Sequence, residues 1–200
     1  MPAERQVIRL RVELLGIRPP VWRRIEIRAD TTFWALHVAL QNALGWTDSH
    51  LHDFELPTRD TGGQTWIGMP DFTGNEDREI LTEYDQRLDR WLHHAGERFF
   101  YNYDYGDGWR HEITIEAIEP ASRGTRYPRC LDGERACPPE DVGGPYGYQE
   151  FLEALADPAH PEHESWRTWI GSDFDPERFE PAQVRFESPA RRLREVYDFA

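Results

Sequence analysis

Hydrophobic and polar residues alternate near the start of the chain, and this period of two predicts a half-buried β-strand over residues 6 to 14. One side is apolar and the other charged: Ile8, Leu10, Val12 and Leu14 against Arg9, Arg11 and Glu13. Gly and Pro interrupt the pattern at residues 16 to 20, and alternation then resumes from Val21 to Arg28. One face of this second run carries Val21, Arg23, Ile25 and Ile27, and the other carries Trp22, Arg24, Glu26 and Arg28. The sequence therefore predicts an opening β-hairpin.

The period then changes to that of an α-helix. The residues at helical spacing are Phe33, Leu36, His37, Leu40 and Leu44. Asp30, Thr31 or Thr32 precedes them as the N-cap, and Gly45 follows as the residue that ends the helix. Strands are expected at His52 to Leu56 and near Trp66, and residues 57 to 79 are expected to form an exposed excursion. Residues 81 to 91 again have helical spacing, which predicts a second helix.

The rest of the chain predicts one more hairpin and several helices. Residues 99 to 118 favour the hairpin, and residues 120 to 146, rich in Pro and Gly, are expected to form an ordered loop. Short helices are expected at 148 to 156 and 162 to 170, with another at 182 to 200 that Pro189 breaks or restarts. The predicted fold class is α+β, a mainly antiparallel sheet built from hairpins with several packed helices. We expect one domain over residues 1 to 200, with a helical C-terminal part from about residue 147.

The second hairpin contains the residues most suggestive of chemistry. A two-residue turn at Asp107-Gly108 would set Asp104 directly opposite His111 and place both on the core face. An aspartate beside a histidine can support acid–base chemistry, and Asp107 would add a second carboxylate. No nucleophile or oxyanion motif accompanies them, so the sequence alone assigns no catalytic residue.

The same hairpin fits two other interpretations. Asp104 and Asp107 can instead satisfy backbone donors of a tight turn, while His111 forms hydrogen bonds at the core edge. Alternatively, Trp109 with Tyr103 and Tyr105 can form a shallow aromatic binding platform with charged rims.

Two further groups contain metal-ligating residue types. His50 and His52 would project to one face of a strand, a spacing used by some metal sites, although a polar strand edge has the same pattern. Two ligands do not by themselves define a site. Four residues could supply a tetrahedral zinc site, but their spacing matches no standard finger or ribbon: Cys130, Cys137, His160 and His163.

The charge is strongly acidic but unevenly distributed. The formal net charge is −14, which disfavours non-specific nucleic-acid binding by the whole surface. All 23 basic residues are arginine, which excludes Schiff-base lysine chemistry and the lysine of a phosphate-binding loop. Residues 1 to 28 nevertheless hold seven Arg against three Glu. A face that could bind single-stranded nucleic acid, unless neighbouring acids cancel it, comprises Arg9, Arg11, Trp22, Arg24 and Arg28.

Cysteine use and hydropathy indicate a cytoplasmic protein. Two cysteines in 200 residues do not form a disulfide framework. We find neither a signal-peptide pattern nor an apolar run long enough to cross a membrane, so no membrane association is expected. The sequence requires no cofactor, and it does not indicate an oligomeric state.

Four motifs occur in order along the chain: Pro-Pro-Val-Trp-Arg-Arg from Pro19, Gly-Trp-x-x-x-His-Leu-His-x-Phe from Gly45, the aromatic hairpin from Phe99, and Cys-Pro-Pro-Glu-Asp-Val-Gly-Gly-Pro-Tyr-Gly-Tyr from Cys137. Together they resemble the Ri-plasmid open-reading-frame-three-like family, whose members are also described as transposon passenger proteins. That family has no established biochemical activity. The resemblance implies an accessory binding or interaction module associated with plasmids or mobile elements, with a protein or nucleic-acid partner. The alternative is a metal-assisted hydrolase that uses Asp104, Asp107 and His111.

Overall fold

Alternation near the start of the chain is realised as a β-hairpin in the computed structural model, which describes residues 5–58, 62–69, 79–171 and 174–197. The strands of the protein are β1 (Gln6–Leu14), β2 (Val21–Arg28), β3 (His52–Pro57), β4 (Gln64–Gly68), β5 (Ile80–Thr82), β6 (Arg98–Tyr103), β7 (Trp109–Pro120) and β8 (Arg129–Glu134). Its α-helices are α1 (Phe33–Leu44), α2 (Gly144–Ala156), α3 (His163–Ile170) and α4 (Pro189–Tyr197), and short 3₁₀ helices lie at Leu88–Arg90 and Pro181–Gln183.

The strands form one sheet in the order β5-β4-β3-β6-β7-β1-β2-β8. Neighbouring strands are antiparallel except for β4 and β5, which are parallel. The predicted α+β class with a mainly antiparallel sheet is therefore confirmed. β1 pairs with β7 from Gln6 opposite Pro120 to Leu14 opposite His111, so the two ends of β1 lie at opposite ends of the sheet.

Helix α1 packs on the apolar face of the sheet, and its boundaries follow local sequence signals. The Thr32 hydroxyl accepts a hydrogen bond from the Ala35 amide, and Gly45 ends the helix in the left-handed conformation. Phe33, Leu36 and Leu40 are fully buried in the hydrophobic core, where the Phe33 ring packs against Phe54 of β3 and Phe99 of β6. Both the helix and its ends are as the sequence predicts.

Two elements differ from the expectations. The prediction of a helix at residues 81 to 91 is wrong, because Ile80 and Leu81 pair with β4 and only Leu88–Arg90 in this segment is helical. Burial of Leu88 and its neighbours against the core creates the helix-like spacing without a helix. The loop expected at 120 to 146 contains β8, because pairing with β2 supplies backbone partners that override the turn-rich composition.

The C-terminal part contains the expected helices. Pro189 starts α4 rather than interrupting a longer helix, as a proline can in the first helical turn. Residues 198 to 200, and most of the predicted excursion at 57 to 79, lie outside the described residues. Over the described ranges, no helix is both long and apolar enough to span a bilayer.

Candidate functional site

The β6–β7 hairpin has a different register from the one expected. Tyr103 lies opposite Trp109 and Tyr101 lies opposite His111, so residues 104 to 108 form a five-residue loop. Asp104 starts this loop in the left-handed conformation at φ 56°, and its carbonyl accepts a hydrogen bond from the Gly108 amide at 2.6 Å. The predicted cross-strand pair of Asp104 and His111 is wrong, because the longer loop shifts the pairing along β6 by three residues and turns the β6 side chains to the opposite faces.

This register places His111 inside the core. Its Nδ1 lies 3.3 Å from the Tyr101 carbonyl oxygen, and its buried Nε2 has no hydrogen-bond partner. Burial lowers the pKa of His111 to about 4, despite the Tyr101 hydrogen bond, and the charge of Arg23 lowers it further. Since the imidazole is neutral and fully buried, it cannot exchange protons with a substrate at the surface.

Three loops meet at the tip of this hairpin, and we call this region the loop end: residues 45–51, 104–108 and 138–143. The Glu140 carboxylate joins two of them, because it accepts hydrogen bonds from the Thr47 amide at 3.0 Å and from the Tyr103 hydroxyl at 2.5 Å. Trp46 donates its indole N–H to the Pro138 carbonyl at 2.8 Å. The loops are therefore fixed relative to each other by directed polar contacts.

The hairpin tip also docks on the 138–143 loop. Asp107 accepts a hydrogen bond from the Gly143 amide at 3.1 Å. At Gly144, which has φ +69°, a Cβ would lie 2.3 Å from the Asp107 carbonyl oxygen, so the close approach requires glycine. The Asp107 carboxylate therefore helps to hold the hairpin tip against the 138–143 loop.

His50 lies between two carboxylates at the loop end. Its Nε2 is 3.1 Å from Asp141 Oδ1 and 3.6 Å from Asp104 Oδ2. The Nε2 atom is buried and has no hydrogen-bond partner, because the contact with Asp104 is too long and the contact with Asp141 is misdirected. Ligands about 2.1 Å from a common tetrahedral ion lie roughly 3.4 Å apart, so these separations suit joint coordination of a metal.

Local structure orients the two aspartates. Asp104 Oδ1 accepts a hydrogen bond from the Gly106 amide at 2.9 Å, which leaves Oδ2 on the side of His50. Asp141, like Asp104, adopts a positive φ, at 61°. Left-handed backbone at a residue other than glycine costs of order 1–3 kcal/mol and persists where the surroundings enforce it.

One imidazole nitrogen and two carboxylates suit Zn²⁺ or Mn²⁺ better than Mg²⁺ or Ca²⁺, which prefer oxygen ligands alone.

A second group of ligand types lies inside the protein, between α1 and β3. The rings of His37 and His52 stack with centroids 3.5 Å apart. His37 contacts Asp48 through Nε2 at 2.7 Å, and His52 contacts the buried Glu83 carboxylate through Nε2 at 2.7 Å. Parallel stacked rings do not direct their lone pairs at a common point, so this arrangement favours a hydrogen-bonded network over a metal centre.

The two histidines hold protons differently. Desolvation lowers the pKa of His37, and the neighbouring His52 lowers it further. Desolvation also opposes the charged form of His52, but the charge and hydrogen bond of Glu83 outweigh it and raise the pKa of His52. Of the two imidazoles, His52 beside Glu83 is therefore the one that binds a proton more readily.

The structure separates several residues that the sequence grouped together. His50 and Asp104 come together, whereas His52 belongs to the interior network. Trp109 and Tyr103 are buried in the core, whereas Tyr105 is exposed and donates its hydroxyl to Asp53 at 2.8 Å, so only one of the three rings presents a large exposed surface. Sequence reasoning missed Asp141, although an acidic pair between Pro-Pro and Gly-Gly was a signal that could have identified it.

The four cysteine and histidine candidates do not form a ligand set in the described ranges. Cys130 lies in β8, and burial raises the pKa of the Cys137 thiol to about 12. His163 is buried with Nδ1 2.8 Å from the Ala154 carbonyl, and half-buried His160 accepts a hydrogen bond from the Glu162 amide.

The predicted nucleic-acid residues share the outer face of the sheet, but each guanidinium is paired with a carboxylate. The pairs are Arg9 with Glu26, Arg11 with Glu13, Arg24 with Glu116, and Arg28 with Asp30, at 2.9, 2.8, 2.7 and 2.5 Å. Trp22 is only 8% exposed, with Arg11 4.2 Å above its ring. This face therefore has little free positive charge, which weighs against phosphate binding there.

Comparisons with known proteins agree with the motif resemblance. A model of the plasmid pRiA4b ORF-3-like protein family matches residues 6–183. Uncharacterized protein y4hQ of Sinorhizobium fredii (strain NBRC 101917 / NGR234) is 45% identical over 170 residues, which cover 84% of each chain. The crystal structure of MM3350, a protein of unknown function from Methanosarcina mazei Go1, superposes with a TM-score of 0.83 at 38% identity, covering 92% of this chain and 100% of that one. The chain belongs to the plasmid pRiA4b ORF-3-like family.

Proposed function

We propose that this protein is an accessory binding module that holds a divalent cation, Zn²⁺ or Mn²⁺, at the loop end. The observation that carries the proposal is the buried Nε2 atom of His50, which lies within 3.6 Å of carboxylate oxygens of both Asp104 and Asp141 but forms no hydrogen bond. An ion among these three groups would satisfy the orphaned nitrogen and offset the repulsion between the carboxylates.

The cation would connect two loops far apart in sequence. Asp104 belongs to the 104–108 loop and Asp141 to the 138–143 loop, while His50 precedes β3. Binding to the folded state alone stabilises a protein, by about 2.7 kcal/mol when the free ion is at 100 times its Kd. A metal-stabilised loop end is suited to presenting a fixed surface to a protein or nucleic-acid partner.

One observation favours a second function, metal-assisted hydrolysis. The Asp141 side chain is 70% exposed, so coordination positions opposite His50 would face solvent. A bound water there would be acidified by the ion and could act as a nucleophile. The loop end would then contain the catalytic centre, with Asp104 and Asp141 in place of the Asp104, Asp107 and His111 set expected from sequence.

Calorimetric titration of tag-free protein with ZnCl₂ and MnCl₂ tests the proposal. We expect one ion per chain for the parent protein. Asp104→Asn and Asp141→Asn each preserve an oxygen for turn contacts and tolerate a positive φ, so they should fold normally but bind the ion at least about tenfold more weakly. Asp157→Asn is the matched control, because Asp157 is also an exposed turn aspartate, accepting from the Ala159 amide at 2.9 Å.

Absence of saturable binding, or equal weakening in all three variants, would exclude the cation site. Hydrolysis of bis(p-nitrophenyl) phosphate separates the two functions. Metal-dependent turnover that disappears in Asp104→Asn would select the hydrolase, whereas metal binding without turnover of this substrate leaves the binding module as the better description.

A further inference from the structure

A second polar cleft lies at the opposite end of the sheet from the loop end. The connection between β7 and β8 crosses the start of β1 and the end of β2, and the Ala121 amide donates to the Arg5 carbonyl at 2.7 Å. A cavity of about 610 Å³ opens there. Its charged lining consists of Arg5, Arg28, Arg123 and Arg126, with Tyr127 beside them.

These arginines differ from those on the outer face of the sheet. Arg5, Arg123 and Arg126 are exposed and form no ion pair within the described ranges, while Arg28 pairs with Asp30. Among the residues that the structure describes, no acidic side chain lines the cavity. In a chain with net charge −14, three guanidinium groups that line one cleft and have no ion pair with another described residue form a local anion-attracting field.

We propose that this arginine cleft binds a compact phosphorylated small molecule carrying two or more negative charges. Guanidinium groups bind phosphate oxygens through paired N–H donors, and several of them can share a polyphosphate. The cavity volume falls in the range of small-molecule sites, roughly 300–1,000 Å³. The Tyr127 hydroxyl accepts a hydrogen bond from the Ser122 amide at 3.2 Å, which fixes the ring at the edge of the cleft.

Charge outside the cleft favours a small ligand over a nucleic-acid strand. The neighbouring guanidinium of Arg9 is already paired with Glu26 and Glu119. The guanidinium of Arg129 is also paired with Glu26. A long polyanion leaving the cleft would therefore meet neutralised or acidic surface, whereas a compact anion would remain within reach of the unpaired arginines.

The test measures binding of inorganic pyrophosphate by calorimetry at low and at physiological salt. We expect saturable binding that weakens as salt screens the charges. The double variant Arg123→Gln with Arg126→Gln should bind pyrophosphate at least about tenfold more weakly, with an unchanged far-UV spectrum and melting temperature. The matched control, Arg167→Gln with Arg178→Gln, removes two exposed arginines that do not line the cleft and should bind as the parent does.

Three results would overturn the proposal. Pyrophosphate binding that is absent at low salt, or that falls equally in both double variants, would show that the cleft is not an anion site. An oligothymidylate whose affinity exceeds that of pyrophosphate and rises with strand length would assign the cleft to nucleic acid instead. The loop-end residues remain intact in every variant, so the outcome is independent of the proposed cation site.

Discussion

Lowering the pH should destabilise the fold through His111. The unfolded chain protonates this imidazole below its ordinary pKa of 6.5, whereas the folded protein does so only near its lowered pKa of about 4. Between these values the unfolded state binds more protons, so the free energy of unfolding falls as pH falls. Integrating this difference shows that protonation of this one group lowers the free energy of unfolding by about 2 kcal/mol between pH 7 and pH 5.

The physical cause is the position of the ring. A proton on Nε2 would place a charged donor in the core without an acceptor, since that atom is buried and has no hydrogen-bond partner. The edge of the Trp46 ring system lies beside His111, with centroids 5.4 Å apart, and offers no compensating charge. The pH dependence therefore follows from burial and not from a specific ion pair.

Urea unfolding of the parent and of His111→Gln at pH 7, 6 and 5 measures the effect. Glutamine retains a donor for the Tyr101 carbonyl but does not titrate, so the variant should remain folded. His37, with a lowered pKa, and His52, with a raised one, titrate in both proteins and their contributions cancel in the comparison. We expect the stability difference between parent and variant to change by about 2 kcal/mol between pH 7 and pH 5. A constant difference, or an NMR titration giving His111 a pKa near 6.5, would refute the reasoning.

Three further changes probe the core and the loop end by thermal and chemical unfolding. Trp109→Ala should cost roughly 3–5 kcal/mol, because the ring is buried; a loss below about 1 kcal/mol would contradict its place in the core. Glu83→Gln should cost about 1–3 kcal/mol by weakening the buried hydrogen bond to His52 and removing the carboxylate that raises the pKa of His52, and little change would argue against that contact. Gly144→Ala should lower the free energy of unfolding by more than about 1 kcal/mol and weaken Zn²⁺ binding, because the added Cβ displaces the hairpin tip. Unchanged metal affinity would show that the position of the tip does not affect the cation site.

Much of the fold could be predicted because its signals are local. The β1–β2 hairpin follows from strict alternation, and α1 follows from its periodic apolar face, the Thr32 cap and Gly45. The edge strands could not be predicted in the same way. β5 and β8 exist because β4 and β2 offer them backbone partners, and such pairing is not encoded in the composition of the paired segment.

The candidate site was predicted only in part for a related reason. An Asp-Gly pair favours a two-residue turn, but Asp104 adopts a left-handed conformation in a five-residue loop, so Tyr101 takes the expected place of Asp104 opposite His111. His50 and Asp104 are recognisable as ligand types in the sequence, whereas Asp141 joins them only through docking of the 138–143 loop on the hairpin tip. Contacts between distant loops depend on the assembled fold.

The most direct test of the cation site is anomalous diffraction from crystals of tag-free protein soaked in MnCl₂. We expect one anomalous peak at the loop end, about 2.0–2.3 Å from His50 Nε2 and from one carboxylate oxygen each of Asp104 and Asp141. A map without a peak there at saturating Mn²⁺, with the His50 imidazole hydrogen-bonded directly to either aspartate, would contradict it.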